Sequence, residues 1–186
     1  VWLLIHSVYR LQKSGSERIP DEGAALLVCN HVSYVDALVI SAACRRPIRW
    51  VMDHRIFATP LLSFFFRTAR AIPIASARDD PELLELAYDA IAEALEAGEL
   101  VGIFPEGALT RDGEIAQFRG GVNRILERTP VPVIPLALSG LWESLFARRP
   151  GKLARMPWRL FPKVRIAVGD AVPPSAAAPD ALRAIV

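Results

Sequence analysis

The chain has 186 residues, enough for one domain with a substantial hydrophobic core. Apolar residues make up 52% of it, but no apolar run approaches the roughly 20 residues that a membrane-spanning helix needs. The two cysteines, Cys29 and Cys44, are too few for a disulfide framework or a zinc cluster, which indicates a reducing compartment.

The two ends of the chain predict a fragment. The sequence begins at Val1 without a methionine and stops at Val186 within an apolar pattern. We therefore expect residues 1–186 to form a single domain of a longer polypeptide, so the absence of a targeting signal carries no weight.

The predicted elements alternate along the chain. The first dozen residues have the spacing of an amphipathic helix, with apolar Trp2, Ile5 and Tyr9 among polar residues. Short apolar runs then alternate with helical stretches, which predicts an α/β domain with a mixed, largely parallel sheet flanked by helices. These runs are ALLVC from Ala25, IRWVM from Ile48, AIPI from Ala71, LVGIF from Leu100, VPVIPLAL from Val131 and VRIAV from Val164.

One predicted helix and one of these apolar runs carry further signals. The helix that follows Asp80 has that residue as its cap, a proline in its first turn and Gly98 after its last turn. Its buried stripe is predicted at Leu83, Ala87, Ile91, Ala94 and Leu95. The run from Val131 contains Pro132 and Pro135, which donate no ladder hydrogen bonds, so we expect an irregular or edge strand.

The stretch CNHVSYVDAL, residues 29–38, supports two interpretations. In the first, Ser33 caps a helix and the Asp36 carboxylate returns to the Ser33 amide, as in a capping box. In the second, Asp36 orients the imidazole of His31, which takes a proton from a hydroxyl group. Residues five apart point about 140° apart on a helix, so the pair meets only if His31 lies in the preceding turn. These residues alone leave both interpretations open.

The second interpretation has a chemical rationale. A carboxylate on one ring nitrogen fixes the tautomer and stabilises the imidazolium, while Asn30 or nearby main-chain amides could stabilise an oxyanion. The chain has no Gly-x-Ser-x-Gly motif, so the substrate would supply the attacking hydroxyl. Cys29 is an alternative nucleophile, because a thiol two residues before His31 on a strand could face the same side.

Polar residues also follow the predicted strand LVGIF. The turn GIFPEGALTRDG from Gly102 contains Glu106, and ligands of open α/β sheets bind at the carboxyl ends of strands. FRGGVNRIL from Phe118 places two glycines at a predicted helix start, which favours an anion. Candidate cations at turns are Arg67, Arg70, Arg111 and Arg119.

The net charge of +2 conceals an asymmetry. Residues 79–99 contain eight acids and no base, whereas residues 143–165 contain seven bases and one acid, together with Phe146, Trp158 and Phe161. The basic stretch suits an anionic membrane surface, where each basic residue contributes about 1 kcal/mol. A solvated basic face explains it equally well, and no nucleic-acid-binding motif supports nucleic acid as a partner.

Four motifs follow one another along the chain: NHVSYVD from Asn30, ARAIPIA from Ala69, FPEG from Phe104 and VPVIPLAL from Val131. In this order they resemble the motifs of the glycerolipid acyltransferase family, the lysophosphatidate acyltransferase-like enzymes. The resemblance covers nearly the whole chain and implies a glycerol-3-phosphate acyltransferase-like fold. It implies that His31 is a general base and Asp36 its partner, for transfer of a fatty acyl group from acyl-CoA or acyl carrier protein to a glycerol hydroxyl.

The resemblance also implies a substrate site. By analogy, Glu106 and Gly107 help form the glycerophosphate pocket, and the fourth motif borders the acyl site. No metal and no cofactor apart from the acyl donor are implied. The residues to which we assign substrate binding are Asn30, Arg70, Phe104, Pro105, Glu106, Gly107, Arg111 and Arg119.

The chain departs from the family pattern at two cations. Common members read Phe-Pro-Glu-Gly-Thr-Arg-Ser, whereas Ala108 and Leu109 follow the FPEG motif here. The second motif often ends in an arginine, and the matching place here is near Ser76, with Arg78 close by. Segments such as MDHRIF and LALSGLWESLF look closer to the acyltransferase part of the bifunctional 2-acylglycerophosphoethanolamine acyltransferase/acyl carrier protein synthetase. These departures favour an acceptor with a bulky headgroup.

We therefore expect a peripheral acyltransferase on the cytoplasmic face of the cell membrane. Its acceptor would be a lysophospholipid or 1-acylglycerol-3-phosphate, and the domain would be fused to further domains. Its partners would be the membrane surface and acyl-CoA or acyl carrier protein, and no nucleic acid. Two alternatives are a non-catalytic membrane lipid-binding module and a thioester hydrolase that uses Cys29. The intact His31–Asp36 pair and the intact FPEG motif favour the transferase.

Overall fold

The computed structural model describes residues 2–58, 60–142 and 162–186. Its strands are β1 Arg10–Ser14, β2 Ala25–Cys29, β3 Ile48–Asp53, β4 Ile72–Ile74, β5 Leu100–Ile103, β6 Val133–Ser139 and β7 Lys163–Val168. Its helices are α1 Trp2–Val8, α2 Asp36–Ala43, α3 His54–Phe57, α4 Pro60–Thr68, α5 Pro81–Glu96, α6 Gly121–Arg128 and α7 Pro179–Ile185.

The strands form one mixed sheet in the order β1-β7-β6-β2-β5-β3-β4. The neighbours from β6 to β4 all pair in parallel, which places the carboxyl ends of five strands at one edge. β7 is antiparallel to β6, and β1 is parallel to β7, so these two strands run against the other five. The predicted α/β class with a largely parallel sheet is confirmed.

Helices cover both faces of this sheet. On one face, α1 and α2 pack against side chains such as Leu27 and Leu136. On the other, α5, α6 and α7 pack against side chains such as Val28 and Val133. Burial on both faces explains why the central strands are almost continuously apolar in sequence.

The predicted helix after Asp80 is confirmed as α5. The Asp80 carboxylate accepts a hydrogen bond of 2.9 Å from the Leu83 amide, and Gly98 beyond the last turn has a φ of +76°. Four of the five predicted stripe residues are buried and Leu83 is half-buried. Local capping signals therefore determine this helix.

The predicted helix over the first dozen residues is wrong in its length. The helix ends at Val8, and Arg10–Ser14 forms β1, which pairs with β7 from Arg10 opposite Lys163. Ile5 and Tyr9 are nevertheless buried, as the apolar pattern predicted. The segment becomes a strand because pairing with a distant part of the chain satisfies its backbone groups, which no local pattern reveals.

The predicted irregular or edge position of the run from Val131 is also wrong. It forms β6, which lies between β2 and β7 inside the sheet. Pro135 lies opposite Val28 of β2 and just beyond the last pair of the β6–β7 ladder, where its carbonyl accepts from the Gly169 amide at 2.8 Å. Its missing donor is therefore tolerated at the end of that ladder. A proline next to a ladder end can thus lie in an interior strand.

In the part of the chain that the structure describes, no helix has the length and apolar character needed to cross a bilayer. The basic stretch of residues 143–165 is the basis for predicting binding to a membrane surface. Its residues 143–161 lie outside those that the structure describes. The membrane-surface prediction therefore stays a prediction.

Candidate active site

The first and third motifs meet at the carboxyl edge of the sheet. β2 and β5 are parallel neighbours, with Val28 opposite Ile103. His31 follows the end of β2 by two residues, and Glu106 follows the end of β5 by three. The topology therefore brings together two polar turns that lie 75 residues apart in sequence.

The His31 ring and the Asp36 carboxylate are in direct contact. His31 Nδ1 lies 2.9 Å from Asp36 Oδ2. The same oxygen accepts hydrogen bonds from the main-chain amides of Val32 at 2.7 Å and Ser33 at 2.8 Å. The helix begins at Asp36, so His31 lies in the turn that precedes it. One carboxylate oxygen thus bonds both the ring and the Ser33 amide, although the cap position of α2 is Val35 rather than Ser33.

Burial shapes the electrostatics of this pair. The Asp36 side chain is 0% exposed, and desolvation raises the pKa of its carboxyl, against the opposing effects of His31 and the Ser33 and Val32 amides. Asp36 Oδ1 is buried without a hydrogen-bond partner among the described residues. The His31 side chain is 21% exposed. Because Nδ1 is held by Asp36, Nε2 is the ring nitrogen left to act on a substrate.

One face of the His31 imidazole is packed against aromatic rings. The Phe104 ring stacks on His31 with centroids 4.0 Å apart, and Trp50 stacks behind Phe104 at 4.9 Å. Trp50 Nε1 donates to Ser41 Oγ at 2.9 Å, which anchors the stack to α2. Phe104 therefore contacts the ring of His31, and Trp50 is a supporting residue that the sequence analysis missed. Gly102, opposite Trp50 in the sheet, was the available signal.

We expect Gly102→Ala to destabilise the protein by about 1–3 kcal/mol, since an overpacked core must shift. A Cβ at this position would lie 2.7 Å from two Trp50 ring atoms and 2.9 Å from Ile48 Cγ2. Urea unfolding measures the change. Gly120→Ala is the matched control, because a Cβ there meets nothing within 4 Å. Equal stabilities for the two variants would contradict the packing argument.

The Glu106 carboxylate bridges two main-chain amides. Oε1 accepts from the His31 amide at 2.6 Å, and Oε2 accepts from the Ala116 amide at 2.8 Å. The residue is 4% exposed, and desolvation raises the pKa of its carboxyl, partly offset by these two hydrogen bonds. Glu106 thus connects the turn of the general-base candidate to the loop after β5.

Thr110 holds the same loop and was also missed by the sequence analysis. Its amide donates to the His31 carbonyl at 2.9 Å. Its buried hydroxyl lies 3.0 Å from Asp112 Oδ1 and 2.8 Å from the Glu114 carbonyl, and accepts from the Gly113 amide. The main chain of His31 is therefore bonded on both its amide and its carbonyl side.

The structure contradicts the predicted substrate-binding role of Asn30. Its Nδ2 donates to the Leu138 carbonyl at 2.9 Å, and its Oδ1 accepts from the Leu138 amide at 2.7 Å. The side chain is 5% exposed. These bonds extend the pairing of β2 with β6 beyond Cys29, so Asn30 joins two strands instead of facing a substrate.

The predicted cations are distributed between the two edges of the sheet. Arg70 precedes β4 and forms an ion pair of 2.5 Å with Glu99, which precedes β5. Arg70 therefore lies towards the amino edge of the sheet, which contradicts its predicted place in the site. Arg111 is exposed in the loop after β5. Arg119 does reach the motif: a Cβ at Gly107, whose φ is +69°, would lie 2.8 Å from Arg119 Cζ. The Arg119 amide also donates to the buried Pro105 carbonyl at 2.9 Å.

Cys29 is unsuited to nucleophilic chemistry. It lies in the core with 0% exposure, and burial raises the pKa of its thiol well above the ordinary value, reinforced by the charges of Asp36 and Glu106. A nucleophilic cysteine needs access and a lowered pKa. The geometry therefore contradicts the alternative of a Cys29 thioester hydrolase.

A comparison with known protein families covers the segment that contains this site. The profile of the family described as Acyltransferase matches residues 10–139, which include both polar turns. The chain belongs to the acyltransferase family. The resemblance to glycerolipid acyltransferases predicted from the motifs is confirmed.

The relatives of this acyltransferase-family chain are distant. It is 26% identical over 137 residues to the chloroplastic 1-acyl-sn-glycerol-3-phosphate acyltransferase LPAT1 of Arabidopsis thaliana, covering 73% of this chain and 38% of that protein. It is 24% identical to the 1-acyl-sn-glycerol-3-phosphate acyltransferase of Bacillus subtilis, covering 67% of this chain and 60% of that protein. The chain thus spans about two fifths to three fifths of these relatives.

A solved structure shares the fold. The crystal structure of the 1-acyl-sn-glycerophosphate acyltransferase PlsC from Thermotoga maritima superposes with a TM-score of 0.73 at 22% identity. The match covers 99% of this chain and 69% of that chain. It confirms the predicted acyltransferase-like fold.

Proposed function

We propose that this domain transfers a fatty acyl group from a thioester to the free hydroxyl of a 1-acylglycerol-3-phosphate or a related lysophospholipid. The observation that carries the proposal is the 2.9 Å contact between His31 Nδ1 and Asp36 Oδ2, which leaves Nε2 available in a chain of the acyltransferase family. The names of the relatives favour 1-acylglycerol-3-phosphate over the bulkier acceptor that the sequence departures indicated.

In the proposed reaction, His31 Nε2 takes the proton of the acceptor hydroxyl while the hydroxyl oxygen attacks the thioester carbonyl carbon. Asp36 stabilises the imidazolium that results. The tetrahedral intermediate collapses, the carbon–sulfur bond breaks, and the imidazolium proton passes to the departing thiolate. The products are an ester and a free thiol, and neither an acyl-enzyme nor water takes part.

Arg119 is our candidate for binding the acceptor phosphate. Its guanidinium lies against Gly107 in the FPEG turn, close to where the family arginine is missing. No carboxylate within 4.0 Å pairs with it in the described ranges. A cation beside the FPEG turn that pairs with no carboxylate can hold the acceptor phosphate while the acceptor hydroxyl reacts at His31.

We expect Arg119→Ala to raise the KM for 1-acylglycerol-3-phosphate about tenfold or more, because a charge-assisted hydrogen bond contributes about 1.5–3 kcal/mol. The kcat should change less, and steady-state kinetics with varied acceptor measures both. Arg10→Ala is the matched control, since Arg10 is an exposed cation of the edge strand β1 and was assigned no role in substrate binding. A KM that rises equally in both variants would contradict a specific phosphate contact.

The acyl donor and the location are part of the proposal. The donor is acyl-CoA or acyl carrier protein, and the domain acts at the cytoplasmic face of the membrane, to which the interleaved basic and aromatic residues of 143–165 would bind. Sedimentation with vesicles that contain anionic lipid tests the location. Loss of binding in high salt would support the role of these basic residues.

One assay panel tests the function. Acyl-CoA and acyl carrier protein donors are crossed with lysophosphatidate and lysophosphatidylethanolamine acceptors, and ester formation is followed by mass spectrometry. Transfer to lysophosphatidate supports the proposal. Vesicle binding without transfer to any acceptor would instead support the non-catalytic lipid-binding module.

A further inference from the structure

We infer that Glu106 is a positioning residue for His31, acting through the His31 main-chain amide, and that it does not bind the acceptor. The inference deepens the proposed function and rests on it for the role of His31. It differs from the role that the family resemblance implies, in which Glu106 contributes to the glycerophosphate pocket.

The hydrogen bonds of Glu106 carry this inference. Each carboxylate oxygen accepts from a different main-chain amide: Oε1 from His31 at 2.6 Å and Oε2 from Ala116 at 2.8 Å. Bonds from amides to a carboxylate are stronger and shorter than those between neutral groups. The carboxylate therefore fixes the backbone from which the His31 ring projects.

The burial and charge of Glu106 argue against contact with the acceptor. The residue is 4% exposed, so little of its surface is accessible to a lipid headgroup. A phosphate placed against a carboxylate would also experience repulsion between like charges, which is strong in a poorly solvated site. An anionic acceptor is better placed at Arg119, an exposed residue whose guanidinium lies against Gly107.

The geometry also explains why a carboxylate is needed. A glutamine has one carbonyl oxygen, so only one of the two amides would keep its acceptor, and its NH₂ group would face the other N–H. An aspartate is one methylene shorter, so it would not span the same two amides. The backbone of His31 would then lose one of its two attachments. The other is the hydrogen bond that the Thr110 amide donates to the His31 carbonyl.

The experiment reads the His31 amide directly. The chain has three histidines, so ¹⁵N-histidine labelling gives three main-chain signals, and a His6→Gln, His54→Gln background leaves only that of His31. In this background the short bond to a carboxylate should place the His31 amide proton downfield. Glu106→Gln should move it upfield. Kinetics in the unaltered histidine background should show a kcat about 100-fold lower with an unchanged acceptor KM, as expected for a misplaced base.

Thr110→Val is the matched control. It removes the hydroxyl that holds the same loop but keeps the amide that bonds His31 and both bonds of Glu106. It should lower stability while the His31 signal stays downfield, whereas Glu106→Asp should fail to restore that signal. A His31 signal that Glu106→Gln does not move, or an acceptor KM that rises with kcat preserved, would overturn the inference. The signal is read without substrate, so a wild-type protein lacking transferase activity would overturn the proposed function separately.

Discussion

Replacing His31 with alanine is expected to lower kcat by about 10²–10⁴-fold, the range that a positioned general base contributes. The variant lacks Nε2, the atom that takes the hydroxyl proton in the proposed reaction as the oxygen attacks. The fold should persist, because the His31 side chain is 21% exposed and Asp36 Oδ2 keeps its hydrogen bonds from the Val32 and Ser33 amides. Acyl transfer under single-turnover conditions measures the effect on the chemical step.

The matched control for this variant is His54→Ala. His54 begins α3 and lies 3.7 Å from Asp53, outside the two polar turns of the site. Its replacement should leave transfer close to the wild-type rate. Near-normal transfer by the His31→Ala variant would eliminate the proposed mechanism, and vesicle binding of both variants would show whether lipid binding depends on the imidazole.

Asp36→Asn is expected to lower kcat by about 10²–10⁴-fold with little loss of folding stability. The asparagine oxygen can still accept from the Val32 and Ser33 amides, so the turn should keep its shape. The neutral side chain, however, cannot stabilise the imidazolium that forms when His31 takes a proton. Steady-state kinetics and thermal unfolding of the same preparations measure the two effects.

The stability of Asp36→Asn should depend on pH in a defined direction. Burial raises the pKa of the Asp36 carboxyl in the folded state, so the folded state favours the protonated form more than the unfolded state does. The stabilisation from this group is present below its unfolded pKa and is lost as pH rises through its folded pKa. Asparagine lacks this titration, so the variant should gain stability relative to wild type as pH rises.

Urea unfolding at about pH 4 and at neutral pH tests this dependence, since the ordinary pKa of aspartate is about 3.9. Asp112→Asn is a suitable control, because that carboxyl is exposed and its pKa is lowered by hydrogen bonds to the Glu114 amide and Thr110. Its effect should have the opposite sign. An Asp36→Asn variant that loses stability relative to wild type as pH rises would contradict the assigned direction.

Sequence alone determined the features that depend on neighbouring residues. The periodic apolar runs indicated the class of fold, and Asp80 and Gly98 marked the ends of α5. The spacing of His31 and Asp36 permitted their contact, because residues five apart can meet when the first lies in the turn before a helix, and the resemblance of the motifs then favoured it. The order of the motifs indicated the family.

Tertiary structure decided the roles of residues whose partners are distant in sequence. Asn30 bonds Leu138 across 108 residues, and Glu106 bonds the His31 amide across 75. Trp50 reaches the imidazole only through Phe104 from the neighbouring strand. Strand order determines which main-chain groups these side chains meet, and strand order follows from how the whole core packs. A polar residue in a motif can therefore be identified from the sequence, whereas whether it faces the substrate or the backbone depends on the assembled sheet.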